Sequence, residues 1–293
     1  MIIDYRARPP HPQIRDAMMR GHLSGYKRVY GKSTDQADYA EWCEKPFTDF
    51  LLHLDEAGID KVIFHAKDVE TVHGTKLSNE TVHATCSLAP DRILFGASVD
   101  PHKGNAALDE LEHAVKKLGA VEVNFQLFEL QLFADDPLFK PIFKRLSDWG
   151  VPVGLHTGIN FGNGPMEYGH PSRLDRIACE FPDLKIIASP PGFPWILELI
   201  AVAWRHANVY IATAPVRPKY MAKPGTGWEP LLTYGDSVLQ DRLIFGTSWP
   251  LLPFQRTVDE IRALPLKPAV IDKWLGGNLA RVLGLQDSSE AAT

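Results

Sequence analysis

The 293-residue chain is 45% hydrophobic and 23% charged, with a net charge of -5 at neutral pH. Its basic residues are scattered, which argues against a nucleic-acid footprint or a basic membrane-surface patch, and no apolar run approaches the ~20 residues that a bilayer span needs. The N-terminus opens on a strand-like run instead of a charged-then-apolar signal, so a cytoplasmic location is the expectation. Three widely separated cysteines, Cys43, Cys86 and Cys179, fit reduced and buried thiols in a reducing compartment.

Short apolar or β-branched runs alternate with amphipathic segments bounded by Gly, Pro and Asp, the pattern of repeated βα units. In chain order, strands are expected at 2–6, 61–66, 93–99, 120–125, 151–156, 185–189, 209–213 and 243–247. Apolar spacing near three and four predicts helices at 48–57, 106–118, 138–149, 172–181 and 195–205. Eight strands close a (β/α)8 TIM barrel, an α/β fold typically of about 250 residues. Residues 1–285 therefore read as one barrel domain, and the polar stretch 286–293, lacking apolar residues to pack, as a disordered tail.

Barrels of this kind place their active sites at the carboxyl ends of the strands and build them from long βα loops. Two such loops stand out. Residues 9–40 hold Arg15, Arg20, His22, Tyr26, Lys27, Arg28 and Tyr30, and residues 215–228 hold Arg217, Lys219 and Tyr220. The strand ends themselves supply Arg6 and Arg8, His65 and Lys67, Ser98 and Asp100, Asn124 and Gln126, His156, Ser189, Thr213 and Ser248. Cations outnumber carboxylates in that set, so a small carboxylate-bearing molecule is the expected ligand, gripped through paired hydrogen bonds from a planar guanidinium. The competing possibility is that Arg6 or Arg8 forms a structural ion pair with Asp100 or Asp4. No pair of histidines has the helical spacing of a metal-binding face, and Gly162-Asn163-Gly164 is too short for a phosphate cradle and reads as a flexible loop or lid.

The phrases Ile3-Asp4, Val99-Asp100-Pro101, His156-Thr157-Gly158, Gly192-Phe193-Pro194-Trp195, Phe245-Gly246-Thr247-Ser248-Trp249-Pro250 and Gly277-Asn278-Leu279-Ala280-Arg281 resemble the amidohydrolase superfamily. Within it, the chain is most similar to the amidohydrolase-2 group, with aminocarboxymuconate-semialdehyde decarboxylase and the resorcylate decarboxylases. That resemblance implies a divalent metal held by a His-x-His pair, a third histidine and an aspartate, with a further histidine doing acid-base work. In this chain the corresponding positions are Arg6, Arg8, His156, Ser248 and Ser189, so only His156 keeps the residue the resemblance implies. Arginine offers donors alone and cannot ligate a cation, and one imidazole among serines does not make a zinc set. No metal or other cofactor is expected.

Two functional readings follow. In the first, the protein is a metal-independent enzyme that hydrolyses or decarboxylates a small carboxylated ring or ring-cleavage product. Arg6 and Arg8 would polarise the substrate, His156 would move protons, and His65, Lys67, Asp100, Asn124, Ser189, Ser248 and Arg217 would bind it. For His156 the alternative is a histidine simply hydrogen-bonded in the interior; Ser189 and Ser248, lacking an adjacent base, read as fillers or substrate hydrogen-bonders rather than nucleophiles. In the second reading, the chain is a catalytically degenerate subunit supporting a metal-bearing paralogue in a hetero-oligomer, with Trp195, Trp204 and Trp249 helping association. Homodimers are what the resemblance implies otherwise.

Overall fold

Eight parallel strands are ordered β1 (Ile3–Asp4), β2 (Lys61–His65), β3 (Ile93–Ala97), β4 (Glu122–Phe125), β5 (Val153–Leu155), β6 (Ile186–Ala188), β7 (Val209–Ala212) and β8 (Leu243–Ile244), each hydrogen-bonded to the next. This computed structural model describes residues 1–11, 13, 42–162 and 164–285. The ends of the sheet meet: the Tyr5 N–H donates to the Phe245 carbonyl at 3.0 Å, and Ala7 bridges Trp249 in parallel. The sheet is thus a TIM barrel, as the alternating pattern predicts.

Two apolar layers follow from strand geometry, in which successive side chains face opposite sides. Ile3, Ile63, Ile187, Tyr210, Ala212 and Ile244 form one cluster with Tyr5, and a larger cluster joins the other strand faces to the surrounding helices. The helix Lys140–Trp149 buries Ile142, Phe143 and Leu146 and ends at Gly150, whose φ of 68° terminates it in the left-handed region. The helix Ile196–Arg205 buries Ile196, Leu199, Ile200 and Ala203 while leaving Leu197 and Trp204 exposed.

All eight strands lie within the segments expected from sequence, and all but β4 stop short of the expected carboxyl end. The residues just past those ends have left the ladder to form the mouth, so apolar character outlasts regular pairing. A short antiparallel hairpin, Lys67–Val69 with Thr75–Leu77, is an element the sequence pattern did not reveal, because three-residue strands carry too little periodicity. Trp249, expected at an associating surface, is 3% exposed and stacks on Phe254 at 4.2 Å, whereas Trp204 is exposed. Cys43 and Cys86 are buried as expected; Cys179 is exposed on its helix. The cations Arg15, Arg20, Lys27 and Arg28, with His22, Tyr26 and Tyr30, lie outside the described residues, as do Asn163 and the stretch 286–293.

Candidate active site

A cavity of about 410 Å³ opens at the carboxyl ends of the strands, lined by Arg6, Arg8, His65, Lys67, Asn124, Gln126, His156, Ser189, Arg217 and Ser248. The barrel therefore gathers nearly every strand-end candidate. Phe128, Phe161, Phe193, Trp228 and Leu251 give it an apolar wall, with Phe193 and Trp228 stacked at 5.0 Å.

Each N-terminal guanidinium group donates to a neutral acceptor. β1 ends at Asp4 and the chain bends at Tyr5, after which Arg6 Nη2 donates to Asn124 Oδ1 at 2.5 Å and Arg8 Nη1 donates to the Ser248 carbonyl at 3.1 Å. Ser248 holds that carbonyl from a left-handed backbone, φ 53°, unusual for a residue with a side chain. Asp4 takes the backbone N–H groups of Arg6 and Thr247 and the Thr247 hydroxyl. His156 is 5% exposed, with its ring edge-on to Phe128 at 4.5 Å.

Beneath the guanidinium groups lies a buried hydrogen-bonded cluster. Glu122 Oε1 accepts from the Tyr5 hydroxyl at 2.6 Å, Glu122 Oε2 lies 2.6 Å from His65 Nε2, and Asn124 Nδ2 donates to the Tyr5 oxygen at 3.3 Å. Strand register explains how His65 reaches Glu122. His65 pairs with Gly96 across β2 and β3, and Gly96 pairs with Glu122 across β3 and β4, so the two side chains flank a glycine in one row. A Cβ at Gly96 would come within 2.4 Å of His65 Cδ2. Gly154 clears the adjoining space, since a Cβ there would meet Glu122 Oε1 at 2.0 Å and the Tyr5 oxygen at 2.4 Å. Burial pushes the His65 imidazole below its ordinary value against the pull of Glu122, and the charges of Arg6 and Arg8 push the same way. Burial and the Glu122 charge hold the Tyr5 phenol well above its usual range.

Several expectations need correction. Asp100 does not line the cavity; it is fully buried, and its two oxygens accept from the Thr71 and His102 backbone N–H groups. It caps the turn Pro101–Lys103, the role a short acidic side chain before proline readily takes. Ser98 and Thr213 are likewise absent from the lining, with Ser98 Oγ accepting the Asp68 N–H and Thr213 Oγ1 donating to the Ile244 carbonyl. Lys67 and Arg217 do line it, but each is held by a carboxylate, Glu129 and Glu260 respectively. The excess of cations read from the strand ends is thus smaller than it looked. Tyr5, Glu122 and Glu129 were missed, although Glu122 sits two residues before Asn124 on β4 and so shares its face.

The cavity does not suit the divalent metal that the resemblance implies. Arg6 and Arg8 carry donors only, Glu122 is occupied by Tyr5 and His65, and no three histidine, cysteine or carboxylate donors of the lining converge among the described residues. The group that does converge, Asp175 with Cys179 and His206, lies outside the cavity, and Asp175 is already held by Arg205.

Comparison with known proteins agrees with the fold and the motifs. The family Amidohydro_2, amidohydrolase, matches residues 3–285. The chain belongs to this family. It is 23% identical to the gamma-resorcylate decarboxylase of Rhizobium sp. (strain MTP-10005), with 75% of this chain and 77% of that protein covered. An uncharacterized TIM-barrel protein from Bordetella bronchiseptica superposes with a TM-score of 0.82 at 27% identity, covering 97% of this chain and 98% of that one. A dihydroxybenzoic acid decarboxylase from Polaromonas sp. JS666, solved with bound manganese and the inhibitor 2-nitroresorcinol, superposes with a TM-score of 0.67 at 17% identity, covering 100% and 99%. No helix among the described residues is long and apolar enough to cross a membrane.

Proposed function

We propose that this amidohydrolase-family chain is an enzyme that hydrolyses or decarboxylates a small carboxylated ring or ring-cleavage product without a divalent metal. The observation that carries this reading is the placement of Arg6 and Arg8 in one partly apolar cavity with His156, each guanidinium fixed by a neutral oxygen. A guanidinium carries its donors in a rigid planar fork, and one anchored in this way costs little reorganisation as charge develops. In a cavity walled partly by apolar side chains its attraction for a carboxylate or an oxyanion is stronger than in solution. His156 then moves the proton, while Asn124, Ser189 and Ser248 orient the substrate and the wall of Phe193 and Trp228 packs its apolar face. The carboxylated aromatic compounds in the names of the relatives favour the same substrate class. A cavity kept open and lined by anchored charge supports an enzyme over a degenerate subunit, in which an unused pocket tends to fill with apolar side chains.

The test is calorimetric titration of γ-resorcylate (2,6-dihydroxybenzoate) into the metal-stripped protein and into Arg6→Ala and Arg8→Ala variants. A charge-assisted hydrogen bond contributes about 1.5–3 kcal/mol, so each variant is expected to bind roughly 10- to 100-fold more weakly. Equal affinity in all three proteins would refute the role of the arginines.

A further inference from the structure

The proposed reaction needs both a proton acceptor and a proton donor, and His156 supplies one group. His65 also lines the cavity, its side chain 6% exposed. Its Nε2 lies 2.6 Å from the Glu122 carboxylate, which is itself fully buried and held on its other oxygen by the Tyr5 hydroxyl. A buried carboxylate already accepting one hydroxyl proton calls for a donor at Nε2, which fixes the hydrogen there and leaves Nδ1 with its lone pair. Nδ1 is buried and has no hydrogen-bond partner among the described residues. Buried imidazole nitrogens are normally paired, so an unpaired acceptor on a cavity-lining residue points to a group that pairs only when a ligand is present and the ring turns to meet it.

We propose that His65, oriented by Glu122, is a second proton-transfer residue of this cavity, accepting on Nδ1 a proton from an O–H of a ligand seated against Arg6 and Arg8. The O–H bonding pair stays on the ligand oxygen, where the guanidinium groups stabilise it, and the imidazolium formed is balanced by the Glu122 carboxylate. Reversal returns the proton. The charged and titratable groups facing His65 are Glu122 from β4 and Tyr5, Arg6 and Arg8 from the segment after β1. In the free protein the two guanidinium charges oppose a third positive charge at His65. A bound carboxylate neutralises them and relieves that opposition, so the ligand hydroxyl proton passes to His65 inside the complex with no net exchange with solvent. The inference rests on the carboxylate-binding reading above, and its test has one part that needs no ligand.

The ligand-free part is nitrogen NMR of the full-length protein with labelled histidine, the His65 signal being assigned by its loss in His65→Gln. The expected result is the Nε2–H tautomer with a titration midpoint below the ordinary histidine value of about 6.5, and a weakened tautomer preference in Glu122→Gln. An Nδ1–H tautomer overturns the proposal whether or not any ligand binds. The second part repeats the nitrogen NMR on adding γ-resorcylate and records the ligand's ultraviolet spectrum, because transfer inside the complex makes His65 an imidazolium and the ligand hydroxyl a phenolate. In His65→Gln the bound ligand is expected to keep its hydroxyl proton and show no phenolate band. Absence of that band in the bound parent, or a band unchanged in His65→Gln and lost in His156→Gln, overturns the proposal. Failure of γ-resorcylate to bind the parent protein counts against the proposed function, and the tautomer then decides the role of His65.

Discussion

Tyr5 and Glu122, 117 residues apart in sequence, meet at 2.6 Å inside the barrel, and the same carboxylate meets His65. Strands β2 and β4 and the segment after β1 thereby share one buried hydrogen-bonded group. Neither partner is tolerated in a barrel interior alone, because an unpaired buried carboxylate or phenol is costly. Together they form a polar floor whose shape depends on glycines in the neighbouring strands.

Gly154 is where that dependence is most exposed to test. Gly154→Ala would put a Cβ 2.0 Å from Glu122 Oε1, and overpacking of this kind costs about 1–3 kcal/mol. Urea denaturation should show that loss, together with weaker γ-resorcylate binding as Asn124 and Arg6 shift. The control is Gly277→Ala, where the nearest atom is at an ordinary 3.6 Å. Equal stability of the two variants would mean the floor is less tightly packed than described.

Asp4 makes stability depend on pH in an unusual direction. Its pKa is pushed up to about 7 because burial disfavours the carboxylate more than Thr247 and the backbone donors favour it. The unfolded value is about 3.9. Between the two the native chain keeps a proton that the unfolded chain has lost. The contribution is therefore complete below about pH 4 and is lost as pH rises towards 7, by up to about 1.4 kcal/mol per unit. In Asp4→Asn the amide mimics the neutral acid, accepting the two backbone N–H groups and donating to Thr247 Oγ1. Urea midpoints at about pH 5 and about pH 8 should show the variant gaining on the parent at the higher pH, whereas a constant difference would show Asp4 to be ionised throughout.

Glu129 tests the cost of stripping a buried charge of its partner. It is 4% exposed and holds Lys67, itself 11% exposed, at the cavity wall. Glu129→Gln should cost about 3–5 kcal/mol, whereas Lys67→Met with Glu129→Leu should be close to neutral. Thermal unfolding of the three proteins checks the order, and a mild effect of the single variant would place Lys67 in contact with water.

Asp100 separates support from binding. Its two backbone acceptor bonds predict that Asp100→Ala costs about 0.5–2 kcal/mol of stability. Since it does not reach the cavity, the affinity for γ-resorcylate should stay within a few-fold of the parent. A large loss of affinity at unchanged stability would return Asp100 to the site.

The barrel was legible because eight apolar runs separated by amphipathic helices leave few other arrangements, and the mouth was legible because strand ends locate it. What escaped was depth. Asn124 lies near the end of its expected strand and is a visible candidate, but Glu122 on the same face points into the same interior, and a glutamate between Val121 and Val123 looks like an ordinary solvent-facing alternation until the strand is known to be enclosed. Gly96 and Gly154 carry no signal of their own in the sequence, and their meaning appears only when His65 and Tyr5 occupy the room they leave. Asp100 was misplaced because position at a strand end does not tell whether a side chain turns to the mouth or back to cap a turn. The pairing of Lys67 with Glu129 and of Arg217 with Glu260 depends on helices and loops whose approach no local pattern records.

Anomalous diffraction from crystals grown in excess zinc and then manganese bears most directly on a barrel mouth organised by guanidinium charge. The expected maps show no metal peak within bonding distance of His156, about 2.0–2.1 Å for a zinc–nitrogen bond, and show the Arg6 side chain against Asn124. A well-occupied peak bonded to the His156 imidazole, with Arg6 and Arg8 swung aside, would contradict it.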